Sequence, residues 1–250
     1  MSETQVSLSV EGAVARLNLH TESGLNVLSG AVLDRLAETV NRVRDAAGVR
    51  FLIVGATGKV FVAGANIREL GGLDVAGAVA ISQKGSRVFD AIADLDCISM
   101  ARIQGAALGG GLELALACDF RVAVGDAKIG LPETSLGLIP GWRGVTRMRQ
   151  LAGLAATRRL VFGAAVISAP QAHDAGIIDA VVPDAGELDA VIAEWIKSFT
   201  RGGPHACAMV KKALRTGDET AAFAACFGHG ESREGITAFL EKRSPSWMKG

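Results

Sequence analysis

The chain has 250 residues, room for one large domain or for a domain with a smaller appendage. Its 26 basic residues cancel its 26 acidic ones, aromatic residues make up 5%, and tyrosine is absent. That balance argues against nucleic acid as the main partner, because phosphate binding needs a basic face and base stacking needs rings. Hydrophobic residues form 49% of the chain, enough for a substantial core.

Cys97, Cys118, Cys207 and Cys226 show no metal-ligand spacing, so no metal is expected. Three of them sit in apolar or small-residue runs and read as reduced structural thiols, which suits a cytoplasmic compartment. The opening Met-Ser-Glu-Thr-Gln-Val lacks the basic and apolar regions of a signal peptide. No apolar run is long enough to span a bilayer, so no membrane partner is expected.

In chain order, residues 6–10 and 13–19 alternate around Glu11-Gly12 and predict a β-hairpin. Residues 28–47 carry Val32, Leu36, Val40 and Val43 at helical spacing, with Ser29 as N-cap. Residues 51–54 form an apolar strand, and 55–65 a Gly/Ala-rich loop. A short helix is predicted over 67–70, a longer one over 74–95, and a strand over 98–103. The run 112–118 reads as a buried helix and 120–124 as a strand. Beyond Trp142 the spacing predicts helices over 142–151, 153–162, 169–175, 187–199, 204–215 and 218–242, with a short strand within 177–182. Strands alternating with helices over the first two-thirds imply an α/β core with a largely parallel sheet. The sequence shows no internal repeat.

Three stretches carry chemistry. In Gly105-Ala-Ala-Leu-Gly-Gly-Gly-Leu-Glu113-Leu-Ala115, three glycines precede a lone carboxylate in apolar surroundings. Glycines let a ligand approach the main chain, and a helix N-terminus offers unpaired N–H groups to a developing anion. Glu113 lies three residues after Gly110, on the same helical face. The second stretch is Leu131-Pro-Glu133-Thr-Ser-Leu-Gly137, where Glu133 is the sole charge in a semi-buried, irregular segment. A helix-capping role is the alternative for Glu133. The third is Phe61-Val-Ala-Gly-Ala65-Asn66-Ile67-Arg68-Glu-Leu70, which offers a second backbone donor at Ala65 and a basic anchor at Arg68; an ordinary turn capped by Asn66 explains it equally. Two amides holding an oxyanion beside two carboxylates suit proton chemistry next to an activated carbonyl.

These stretches, with Gln104 and Asp119 flanking the glycine run and Glu234-Gly-Ile-Thr-Ala-Phe-Leu-Glu-Lys-Arg243 near the end, make the chain resemble the crotonase superfamily over nearly its whole length. More narrowly it is similar to the enoyl-CoA hydratase/isomerase family. The resemblance implies a crotonase-like spiral of ββα units over residues 1–195. It also implies a helical region over 196–250 that aids assembly into a homotrimer or homohexamer. It further implies an acyl-CoA thioester as substrate and partner, with coenzyme A part of that substrate and no separate cofactor. Carried over, Ala65 and Gly110 become the oxyanion-hole donors, Glu113 the base that activates water, and Glu133 the proton donor. Ala65, Asn66, Ile67 and Arg68 fall where coenzyme A binds. Retention of both glutamates favours hydration over isomerisation. Decarboxylation, thioester hydrolysis, dehydration of a polar acyl-CoA, or a non-catalytic RNA-binding role are the alternatives within the fold.

Three positions depart from the family pattern: Asn66, where an aspartate is usual, and Trp142 and Arg143, where a small residue and glycine are usual. Trp142 is expected to narrow the acyl pocket. Arg143 is either a surface residue at a helix start or a partner for an acyl carboxylate. His20, His173, His205 and His229 have no paired spacing and are assigned no catalytic role.

Overall fold

A computed structural model describes residues 3–248. The elements in order are β1 (Gln5–Glu11), β2 (Val14–His20), α1 (Gly30–Asp45), β3 (Phe51–Ala56), β4 (Val60–Val62), α2 (Ile67–Leu70), α3 (Val75–Ala93), β5 (Ile98–Ile103), β6 (Ala106–Leu108), α4 (Gly110–Leu116), β7 (Phe120–Val124) and β8 (Lys128–Gly130). A 3-10 turn over Pro132–Leu136 follows, then α5 (Gly144–Phe162), β9 (Val166–Ser168), α6 (Ala169–Asp174), β10 (Ala180–Val182), α7 (Ala185–Phe199), α8 (Pro204–Thr216), α9 (Glu219–Phe227) and α10 (Gly230–Leu240).

Among the described residues, one sheet has the order β1-β2-β3-β5-β7-β10 and a second the order β4-β6-β8-β9. Pairing is parallel except at β1/β2 and β8/β9. A strand of the large sheet is followed by a short strand of the small one and then by helix, three times over: β3-β4-α2/α3, β5-β6-α4, and β7-β8 leading into α5. The structural repeat exists without a sequence repeat, because each turn needs only an apolar strand, a bend and a covering helix. β3 is buried at every position, as an interior parallel strand must be. Ser29 caps α1 by accepting from Val32 N, and Val32, Leu33, Leu36, Val40 and Val43 form its buried face.

Several boundaries differ from the sequence expectation. The hairpin turn is Gly12-Ala13, with Glu11 still paired to Val14; Gly12 takes φ +56°, which places it inside the turn. β4 falls in the segment read as loop, β6, β8 and β9 in segments left unassigned, and three residues are too few for alternation to show. The helices expected on either side of residue 152 form one element broken at Gly153, which takes φ +76°. The single helix expected over 218–242 divides at Gly228, and His229 caps α10 by accepting from Glu231 N. α7 ends at Phe199, where the spacing puts it, and begins two residues earlier than expected.

The C-terminal helices are tied to the core by a half-buried charge cluster. Lys211 Nζ on α8 lies 2.7 Å from Asp119 Oδ2 and donates to Cys97 O, while Asp119 also accepts from Ser99 N and Oγ. Lys211→Ala is expected to cost about 2 kcal/mol in urea unfolding, since it strands a carboxylate largely shielded from water.

Candidate active site

α4 starts at Gly110 because Gly109 turns the chain at φ +51°. Gly111 is required by close approach: a Cβ there would lie 2.1 Å from Val62 O of β4. Gly110 therefore carries the first helical amide, which has no intrahelical acceptor and sits at the positive end of α4.

Ala65 is positioned by a parallel bridge to Leu28, in which Leu28 N donates to Gly64 O and Asn66 N to Leu28 O, each at 2.9 Å. The peptide groups either side of Ala65 face Leu28, so the Ala65 N–H points the opposite way. Gly64 takes φ +123°, and a Cβ on it would meet Leu108 O at 3.2 Å and Gly110 N at 3.9 Å. The Ala65 and Gly110 segments thus run side by side.

The two glutamates flank this pair. Glu113 is 2% exposed, and its Oε1 accepts from Trp142 N and Gly144 N at 2.7 Å each. Burial pushes its carboxyl up to about 7, opposed by those two N–H groups and reinforced by the Glu133 charge. Glu133 lies in the 3-10 turn, with Oε1 2.8 Å from where a Gly109 Cβ would sit. Its Oε2 is buried without a hydrogen-bond partner, and burial raises its pKa. Neither glutamate is an N-cap: Gly109 fills that position for α4 and Leu131 for the 3-10 turn.

Asn66 caps α2 by accepting from Arg68 N. Ala65, Asn66, Ile67 and Arg68 line one cleft of about 580 Å³ together with Thr4, Leu25 and Val27. The expected coenzyme A segment thus opens directly beside Ala65.

Trp142 is 4% exposed and wedged between α3 and α4. Its Nε1 donates to Ile81 O, its ring meets Phe89 edge-on at 5.6 Å, and a Cβ on Gly85 or Gly110 would fall within 2.4 Å of the indole. Arg143 is an exposed residue at the start of α5, one of the two readings its position allowed; its Nε lies 3.2 Å from Asp90 Oδ2, and its backbone takes φ +70° where glycine is favoured. Sequence reasoning passed over Asp90 and Arg147, which meet at 2.6 Å beneath this loop. Arg147 follows Trp142 by five residues, but its partner lies 57 residues away and no local spacing links them.

Among the described residues no cluster of three or more His, Cys, Asp or Glu is arranged to hold a metal, and no helix is long and apolar enough to cross a membrane. All four cysteines are free. His205 and His229, unpaired in sequence, stack at 4.3 Å, one on α8 and the other capping α10.

A spiral α/β fold with two adjacent backbone amides, one buried carboxylate and a second half-buried one defines a class of acyl-thioester enzymes. The chain belongs to the enoyl-CoA hydratase/isomerase family, whose profile it matches over residues 9–250. It is 34% identical to a probable enoyl-CoA hydratase of Bacillus subtilis, covering 97% of this chain and 98% of that one. It is 33% identical to a crotonyl-CoA hydratase of Syntrophomonas wolfei, covering 99% of each. The crystal structure of an enoyl-CoA hydratase from Bacillus anthracis superposes with a TM-score of 0.88 at 30% identity, covering 98% and 99%.

Proposed function

We propose that this protein is a hydro-lyase that adds water reversibly across the double bond of short-chain 2-enoyl-CoA thioesters. The observation that carries the reading is the pair of raised carboxyls, Glu113 and Glu133, on either side of the Gly109-Gly110 turn. The Ala65 and Gly110 amides receive the thioester oxygen as charge moves onto it, each donor contributing roughly 3–4 kcal/mol by analogy with measured oxyanion holes. Glu113 takes a proton from water as its oxygen bonds to C3. The electron pair of the double bond moves towards the carbonyl, and Glu133 gives its proton to C2. Glu133 must start protonated and Glu113 ionised; burial raises both carboxyls, and the Trp142 and Gly144 N–H groups favour the ionised form of Glu113. Ala65, Asn66, Ile67 and Arg68 receive coenzyme A in the cleft, and Trp142 limits the acyl end.

The names of full-length relatives support this reading: crotonyl-CoA hydratase, and a short-chain-enoyl-CoA hydratase of Clostridium acetobutylicum. The test is loss of enoyl-thioester absorbance over a panel of enoyl-CoAs. Crotonyl-CoA should turn over, and a dicarboxylic enoyl-CoA should gain nothing over it because Arg143 is paired with Asp90. No turnover with any member would sink the assignment. As the base, Glu113 must be ionised, so kcat/KM should rise with pH along a limb centred near 7. A limb near the ordinary carboxylate range would contradict this.

The reading includes a homotrimeric or homohexameric assembly, supported by exposed Val210, Leu214, Phe223 and Phe239 on the C-terminal helices. It also includes a cytoplasmic location, supported by the free thiols.

A further inference from the structure

Glu113 is gripped by a loop outside its own helix, and that loop is held from behind. Trp142 gives its N–H to Glu113 and its carbonyl to Arg147 Nη1, at 2.7 and 2.8 Å. Arg147 is 8% exposed, and its Nη2 reaches Asp90 Oδ1 on α3 at 2.6 Å. We propose that Asp90 and Arg147 are positioning residues for Glu113, a brace that seats the amides of Trp142 and Gly144 on its carboxylate and sets a buried positive charge against it. The proposal rests on Glu113 acting as the base.

Three observations support the brace. A guanidinium fork serves two acceptors in fixed directions, here the Trp142 carbonyl and a carboxylate on a different helix. α3 holds the loop at two further points: Ser82 Oγ donates to Gly141 O, and Ile81 O receives the Trp142 indole. The charge arrangement points the same way. Glu113 faces Glu133, which opposes its ionisation, and Arg147, which favours it. Arg147 in turn faces Asp90, Arg143 and Cys118, whose thiol burial keeps neutral by pushing it up to about 12. Arg147 is thus the cation acting on Glu113, and Asp90 tempers it.

The experiment is the pH profile of kcat/KM for crotonyl-CoA in wild type, Arg147→Met, Arg147→Lys and Asp90→Asn. Arg147→Met should move the acid limb up by about one pH unit, the lower end for losing a neighbouring opposite charge. Ionisation alone then lowers kcat/KM roughly fivefold at pH 7, with KM within about twofold. Arg147→Lys should return the limb towards wild type without restoring kcat, because one ammonium cannot replace the fork. Asp90→Asn should move the limb down by exposing Glu113 to an uncompensated cation. A folded Arg147→Met enzyme with an unmoved limb overturns the proposal. If that variant does not fold, an unmoved limb in Asp90→Asn overturns it. Carbon-13 titration of the Glu113 carboxyl, assigned through Glu113→Gln, reads the brace without turnover. If wild type hydrates nothing, the proposed function falls, while a midpoint raised by Arg147→Met still supports the brace and an unchanged one defeats it.

Discussion

Replacing Glu113 or Glu133 by glutamine will lower kcat for crotonyl-CoA by about a thousandfold, within the range for losing a positioned acid or base. Glutamine keeps the side chain's shape, and its oxygen can still accept from Trp142 N and Gly144 N, so the loss isolates the proton-transfer role. Binding of a saturated acyl-CoA should change little. The double variant should fall little below either single one, because the two groups act in one concerted task. Glu113→Gln also carries a stability signature. The folded carboxyl binds its proton more tightly than the unfolded one, about 7 against 4.5. A raised folded pKa gives a contribution that is complete below about pH 4.5 and lost as pH climbs through about 7. Wild type should lose thermal stability across that window relative to Glu113→Gln. A parallel decline in both would show that Glu113 ionises normally.

Gly110→Ala will be destabilising, and Trp142→Ala will relieve most of the damage. A Cβ at residue 110 would fall 2.3 Å from the indole Cζ3, and the indole cannot retreat because Nε1 is bonded to Ile81 O and its other edge lies against Gly85. Overpacking of this kind costs about 1–3 kcal/mol, and Trp142→Ala alone about 3–5 kcal/mol through the space it vacates. The double variant should cost at least about 1 kcal/mol less than the sum, read by chemical denaturation as a double-mutant cycle. Additive costs would mean that the ring does not rest on the α4 glycine. Because Trp142 N still reaches Glu113 whatever the side chain, Trp142→Ala should keep measurable turnover and shift preference towards longer or branched enoyl-CoAs.

How much of this was legible in the sequence depended on the range of the interactions. Ser29, Asn66 and the strands at 98–103 and 120–124 declare themselves within a few residues, and the structure has them where spacing puts them. The glycine run and the lone acids at 113 and 133 stand out because a charge in an apolar segment needs a reason. That the two acids flank one turn is a product of the spiral, which no local pattern encodes. The carboxylate facing Arg143 and Arg147 was equally hidden, since Asp90 is one of several acids on α3 and its flanks until the helix docks. The short strands β4, β6, β8 and β9 owe their existence to pairing partners rather than to their own residues.

The slot around the indole also constrains the history such a sequence can have. Residues 85 and 110 must already have lacked side chains before a bulky ring could enter between them, and neither can regain one while the ring stays. Substitutions at these three sites are therefore ordered, and lineages that share the ring should share both vacancies.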